Sequence, residues 1–348
     1  MKYSSPTFRD RAPTSLWFAP RISSATSRPR ASRSPDLRAL LVRAGALGDL
    51  LLLRRTIHAL RRAGHSVSLV APAGPAAALV GPGPAEVDHV IPWEGARVAG
   101  LLSSDGEARS PAELTGFDVA VTYTRNKALV RSLAAAIPRV LSHDPSPPVG
   151  ERVHASAWLS RPLEVLGVTA AEEPPDHAAS EAESRATEQL RERLGLGFLA
   201  IHPGSGSARK NWPAQRFGQI AAAIADGRPW LLVEGPADEA SARVLERVIG
   251  AVPTRHLPLR VLGALLAHAG AYVGNDSGVS HLAAAWGAPT VVLFGPTDPD
   301  VWSHVGTRVR VVRAPDDTLE SLHVPQVEDA VRAVLSCVRS EAGGRPLG

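Results

Sequence analysis

The 348-residue chain is 44% hydrophobic and 21% charged, which suits a folded protein with a sizeable core and excludes a wholly disordered one. No apolar run reaches the roughly 18 residues of a membrane-spanning helix, and the lone cysteine, Cys337, excludes an internal disulfide framework. The net charge of +4 invites a nucleic-acid or acidic-membrane reading, but residues 1–38 hold eight basic and two acidic residues, leaving 30 basic against 32 acidic in the rest.

In chain order, residues 1–36 are rich in Ser, Arg and Pro without apolar periodicity and read as a disordered basic tail. Its apolar patch Leu16–Ala19 is too brief for a signal-peptide core; an Arg-rich transit peptide and an over-extended start of translation both fit the composition. From Leu37 the texture changes. A buried strand over Arg38–Arg43 is followed by a Gly-rich turn and a helix expected from Asp49 to Arg62, ended by Gly64. Strands are expected at Val67–Ala71, Val87–Ile91, Phe117–Tyr123 and Arg139–Ser142, with helices between most of them.

The acidic, proline-paired stretch Val168–Glu183 is the best domain boundary, and a helix follows to Leu194. A second series then alternates: strand Phe198–His202, helix Pro213–Ala225, strand Trp230–Glu234, helix Ala237–Ile249, helix Leu259–Ala269, strand Ala271–Gly274, helix Ser277–Trp286, strand Thr290–Phe294, strand Arg308–Val312 and helix Val327–Val338. At about 150 residues per domain, the expectation is two facing α/β domains with parallel sheets, 37–175 and 176–340, and a ligand cleft at the strands' carboxyl ends.

Five segments at strand ends could carry chemistry. Gly45-Ala46-Leu47-Gly48-Asp49 follows the first strand; its glycines allow a tight turn, and Asp49 is either a helix-capping acid or a general base facing the cleft. The G-x-x-G-D spacing is not the dinucleotide fingerprint, which disfavours a nicotinamide enzyme. His202–Pro213 supplies Gly and Ser donors at Ser205 and Gly206, then the charges of Arg209 and Lys210, and suits an anion as well as an ordinary solvated loop. Lys210 is one of three lysines in the chain, beside Lys2 and Lys127.

In Gly274–His281 a strand passes into a helix, so the N–H groups of Ser277, Gly278 and Val279 offer a pyrophosphate site, with Asp276 as the expected N-cap. His281 lies one turn further on, where packing and ligand contact both fit. Asp238 and Glu239, after a strand, are either ribose-binding acids or first-turn acids that complement the helix dipole. Phe294–Pro299 is a Pro-rich turn near the same edge, fit to wall a nucleotide pocket. No zinc spacing among the 12 histidines and no nucleophile elbow occurs.

The stretches VRAGALGDLLL (42–52), AIHPGSGSARKNWPAQRF (200–217), LLVEGPADE (231–239) and GNDSGVSHLAAAWGAPTVVLFGPTDP (274–299) together resemble glycosyltransferase family 9, the ADP-heptose:lipopolysaccharide heptosyltransferases. The resemblance spans roughly residues 38–338, densely in the second half. It implies a GT-B fold with the acceptor on the N-terminal domain and the nucleotide sugar on the C-terminal one. It also implies inverting transfer from an ADP-activated heptose or related sugar to a glycolipid or saccharide acceptor at the cytoplasmic face of a membrane, without a protein-bound metal or covalent cofactor. By position, Asp49 becomes the base, Lys210 neutralises the leaving diphosphate, Asp276–Val279 hold it, and Asp238 or Glu239 lies near the ribose. The resemblance places Gly45, Gly48 and Arg125 on the acceptor side. Thr122–Arg125 lacks the D-L-Q-like tail expected there, which leaves acceptor identity open. A UDP-sugar transferase, or a non-catalytic nucleotide-sugar binder, is the alternative; a nucleic-acid partner is disfavoured.

Overall fold

A computed structural model describes residues 36–95, 98, 114–224, 226–235, 238–254 and 256–343. The expected tail, apart from Asp36, lies outside them, as does Ala237, the expected start of a helix.

The first half builds a five-stranded sheet from β1 (Arg38–Val42), β2 (Ser66–Ala71), β3 (His89–Pro92), β4 (Val119–Tyr123) and β5 (Arg139–His143), in the order β3-β2-β1-β4-β5. The second half builds a six-stranded sheet from β6 (Leu199–His202), β7 (Trp230–Val233), β8 (Val252–Thr254), β9 (Ala271–Asn275), β10 (Thr290–Phe294) and β11 (Val309–Arg313), in the order β11-β10-β9-β6-β7-β8. Every pairing is parallel, with Leu41 opposite Leu69 and Val121 in the first sheet and Ile201 opposite Leu232 and Val273 in the second. The continuous apolar runs of β1 and β10 follow from that: each is covered by helices on both faces, and Ala39–Val42 and Thr290–Phe294 are buried throughout.

The helices are α1 (Leu47–Leu51), α2 (Arg54–Arg62), α3 (Ala73–Ala76), α4 (Lys127–Ala134), α5 (Ala155–Ser160), α6 (Glu181–Leu194), α7 (Ala214–Ile224), α8 (Glu239–Ile249), α9 (Leu259–Leu266), α10 (Gly278–Ala285), α11 (Pro299–Trp302) and α12 (Val324–Gly343). The single helix expected from Asp49 to Arg62 is two. The Leu53 N–H bonds the Leu50 carbonyl three residues back, which tightens the turn and breaks the helix at Leu52–Leu53. The expected helix to Ala269 ends at Leu266, and β8, unforeseen, is a three-residue edge strand holding Pro253.

Numbered from β6, the second sheet has the dinucleotide-fold order 3-2-1-4-5-6, whose order reverses between β6 and β9; the first sheet reverses between β1 and β4. Crevices at the carboxyl ends of these strand pairs are where such sheets take ligands. One apolar core runs from Leu41, Leu50–Leu53 and Leu60 of the first half to Leu265, Leu282 and Trp286 of the second. Buried Glu86 adds a polar tie: its Oε1 lies 2.7 Å from both His177 Nδ1 and Arg260 NH1. Burial alone raises the Glu86 pKa, but these partners and the Gly83 N–H bring it down to about 2.

Candidate active site

The loop after β1 carries Asp49 to the third position of α1. There its Oδ2 accepts the Ala46 N–H at 3.0 Å and its Oδ1 accepts from the buried guanidinium of Arg43 at 3.0 Å. Arg43 is held in turn by the Pro145 carbonyl (3.1 Å) and the face of Tyr123. The carboxylate is thus fixed in direction, yet its side chain is 41% exposed and can meet a substrate. Gly45 is required at the turn, because a Cβ there would stand 2.7 Å from that of Asp49.

In the second half, Asn275 at the end of β9 clamps the loop after β6: its Oδ1 accepts the Trp212 N–H at 3.0 Å and its Nδ2 donates to the Pro203 carbonyl at 2.8 Å. This sets Lys210 Nζ 2.8 Å from Asp276 Oδ2, which also accepts from Thr297 Oγ1 at 2.7 Å. Ser205 is spent inside the loop on Ser207 and Asn211, whereas Gly206 and Arg209 face open space. The cap of α10 differs from expectation. Ser277, not Asp276, is the N-cap, its Oγ accepting the Ser280 N–H, because Asp276 is turned toward Lys210. The first-turn N–H groups of Gly278 and Val279, at half-buried positions, have no acceptor inside the helix.

The two loops meet. A Cβ on Gly278 would lie 2.8 Å from Leu47 Cβ, and one on Gly48 would lie 2.9 Å from His281 Cδ2, so the starts of α1 and α10 are in backbone contact. Asp49, Lys210, Asp276, Ser277, Gly278 and Val279 therefore share one locus at the carboxyl edges of both sheets. His281 packs behind it, stacked on His304 with centroids 3.7 Å apart. Burial pushes His281 down to about 4 and His304 well below its ordinary value, so the stack is uncharged near neutrality.

Three expected site residues are engaged with partners of their own. Asp238 is buried and bonded to His202 Nε2 at 2.8 Å, Glu239 is exposed and paired with Arg243 along α8, and Arg125 is exposed with both Asp144 oxygens within 2.8 Å. Sequence reasoning gave no role to Arg43 or His304 and met His202 and Thr297 only as members of the segments His202–Pro213 and Phe294–Pro299. His202 alone carried a signal, as a histidine ending a buried strand beside a Gly-Ser loop. Among the described residues, Asp276, His281 and His304 offer three ligand atoms within 4.8 Å of one another, on spacings no zinc motif would flag. They fit a metal poorly. Asp276 Oδ2 is taken by Lys210 and Thr297, His304 Nε2 lies 3.4 Å from the Ser277 carbonyl, and the two rings are stacked nearly parallel (17°).

The sequence profile of glycosyltransferase family 9 (heptosyltransferase) matches residues 132–331. Lipopolysaccharide heptosyltransferase 1 of Escherichia coli O18:K1:H7 is 30% identical over 35% of this chain and 38% of its own length. An Escherichia coli lipopolysaccharide heptosyltransferase 3 is 34% identical over 31% of this chain and 34% of its own length, so the matched stretch spans well under half of either relative. Among solved structures, a family 9 glycosyl transferase from Veillonella parvula superposes with a TM-score of 0.73 at 21% identity, covering 86% of this chain and 97% of that one. E. coli ADP-heptose lps heptosyltransferase II gives 0.69 at 20% identity, covering 87% and 100%. The fold is thus GT-B-like, two parallel sheets with alternating helices.

Proposed function

The chain belongs to glycosyltransferase family 9 (heptosyltransferase), and on that premise we propose that it moves a heptose or related sugar from an ADP-activated donor to a glycolipid or saccharide acceptor such as a lipopolysaccharide core. The observation that carries this is the contact of α1 with α10. It brings a fixed, half-exposed carboxylate, Asp49, to a helix start flanked by Lys210.

In this reading residues 37–175 hold the acceptor and 176–340 the nucleotide sugar. The Asp49 carboxylate takes the proton from the acceptor hydroxyl, whose oxygen forms the new bond at the anomeric carbon from the face opposite the diphosphate. The anomeric carbon–oxygen bond breaks, its electrons leave on the diphosphate, and the sugar inverts. The developing charge is met by Lys210 Nζ and by the N–H groups of Gly278 and Val279, preorganised donors that ask for no divalent ion. Asp276 keeps Lys210 extended toward the diphosphate, and Ser205, Gly206 and Arg209 border its entrance. A lipid-linked acceptor puts the enzyme at a membrane surface; no helix among the described residues is long and apolar enough to cross one.

The test is release of nucleoside diphosphate from a panel of ADP- and UDP-sugars, with a heptose-deficient lipopolysaccharide as acceptor. Acceptor-dependent release from an ADP-heptose supports the proposal. Release confined to UDP-sugars replaces the donor, and ADP or UDP bound without release makes the protein a binder.

A further inference from the structure

Behind the diphosphate side of the cleft, three loops are joined by one chain of buried hydrogen bonds. Asp238, just before α8, places Oδ2 at 2.8 Å from His202 Nε2, and His202, the last residue of β6, places Nδ1 at 3.2 Å from Ser277 Oγ. Ser277 Oγ accepts the Ser280 N–H at 3.3 Å; Ser280 Oγ donates to the Asn275 carbonyl at 2.6 Å and lies 2.9 Å from the Tyr272 hydroxyl.

The partners fix the order of protons. In the neutral ring, the nitrogen that faces a carboxylate carries the proton, so His202 Nε2–H donates to Asp238 and Nδ1 is left as an acceptor. Nδ1 then accepts a hydrogen bond from the Ser277 hydroxyl, which also lies 3.1 Å from Ser280 Oγ. The lone pairs of Ser277 Oγ stay turned to the first turn of α10, as an N-cap requires.

The position of Asp238 is itself built. Gly235 donates its N–H to Oδ2 at 3.0 Å. A Cβ on Gly204 would come within 1.6 Å of Oδ1, and one on Gly235 within 2.7 Å of Oδ2, so two glycines keep the space for this carboxylate. Burial raises its pKa, and the bonds from His202 and Gly235 outweigh that and hold it below the usual carboxylate value. A ribose-binding acid has to face the cleft; Asp238 is 6% exposed and spent on its neighbours.

We propose that Asp238 and His202 are a positioning pair for the nucleoside-diphosphate site: acting through Ser277, they lock the start of α10 so that the Gly278 and Val279 N–H groups stay aimed at the diphosphate. The proposal rests on the donor-site reading above. It assigns the pair to donor binding and not to the acceptor proton, which belongs to Asp49.

Three variants of the full chain test it, with ADP as the calorimetric probe and with steady-state kinetics in both substrates. His202→Gln keeps an amide group in reach of Asp238 but loses the Nδ1 acceptor; His202→Asn keeps an acceptor near Nδ1 but loses Asp238. One neutral hydrogen bond sets the scale: H202Q and D238A raise the ADP Kd and donor KM at least about fivefold, with acceptor KM and saturated kcat changing less than about twofold. H202N recovers most of the donor affinity, although it melts lower for leaving Asp238 unpaired. In the wild type, nitrogen-15 shifts of His202 show the proton on Nε2. An unchanged ADP Kd in H202Q, donor and acceptor KM rising together in step with the melting temperature, or a proton on Nδ1 would each overturn the pairing. If the wild type binds no nucleoside diphosphate, the donor-site reading falls, whereas the tautomer measurement still reports on the pair.

Discussion

The contact of α1 with α10 makes a sharp prediction for Gly278→Ala. The new methyl would sit 2.8 Å from Leu47 Cβ and 3.2 Å from the Gly48 nitrogen. Carbon atoms in contact rest about 3.5–4.0 Å apart, so the helix starts must separate by about 1 Å. Neither neighbour is the free end of a side chain; one is a Cβ and the other a backbone nitrogen, and the backbones themselves have to move. Overpacking of this kind costs about 1–3 kcal/mol, which for a chain of this size lowers the melting temperature by roughly 1–4 °C.

The functional effect is larger. Leu47 is two residues from Asp49, and Gly278 opens the helix proposed to hold the diphosphate, so the displacement widens the distance between the proposed base and leaving group. A misplacement of about 1 Å costs on the order of 100-fold in rate. Thermal melting, ADP calorimetry and turnover on the same preparation check it: kcat/KM falls about 100-fold, well beyond the few-fold weakening of ADP expected from moving the Gly278 N–H. Wild-type melting and wild-type turnover in Gly278→Ala would refute the claim that this contact sets the catalytic geometry.

Gly204→Ala places a methyl on Asp238 Oδ1 and expels the carboxylate from its pocket; melting and ADP affinity should both fall further than in Gly278→Ala. Lys210→Met removes one charge donor from the leaving group and lowers kcat by about 100- to 1,000-fold, while Asp276 keeps Thr297 and melting drops by no more than a few degrees; unchanged kcat would remove Lys210 from the mechanism. His281 is held at about 4 against an ordinary 6.5, so below pH 6.5 the unfolded chain binds its proton first. Its contribution is complete above pH 6.5, is lost as pH falls toward 4, and amounts to about 3 kcal/mol across that window. Melting should therefore fall between pH 6.5 and 5, before most carboxylates titrate, with a shallower slope in His281→Gln; equal slopes would contradict the assignment.

The sequence was read well where one period ruled a segment. β1, β9 and β10 stand within a residue of their expected bounds because continuous apolar runs between turns have few alternatives. The break at Leu52–Leu53 was illegible, since Leu50–Leu53 are all buried and no residue there signals a stop. β8 was hidden because three residues containing a proline carry no strand period. In the candidate site, the positions of Asp49, Lys210 and Ser277–Val279 were legible because glycines after strands mark the loops at a sheet's carboxyl edge. Their partners were not. Arg43 reads as the end of a strand, and His202 meets Asp238 and Ser277 across separations of 36 and 75 residues, pairings set by sheet order and not by spacing. Asp238 invited a ribose role because acids after strands often take it; the glycine at 204 that makes room for its carboxylate shows its purpose only in three dimensions.

Asp49 is the proposed base for the acceptor's proton. Asp49→Asn keeps an oxygen for the Ala46 N–H but removes the base and turns its amide N–H toward the buried Arg43 guanidinium, which is left with the Pro145 carbonyl, so some melting loss comes with it. Single-turnover transfer measured beside ADP binding and melting isolates that loss. Transfer is expected to slow about 100- to 10,000-fold, with ADP affinity kept and a melting shift too small to account for the loss. Transfer at the wild-type rate, or a loss that follows the melting temperature alone, would contradict it.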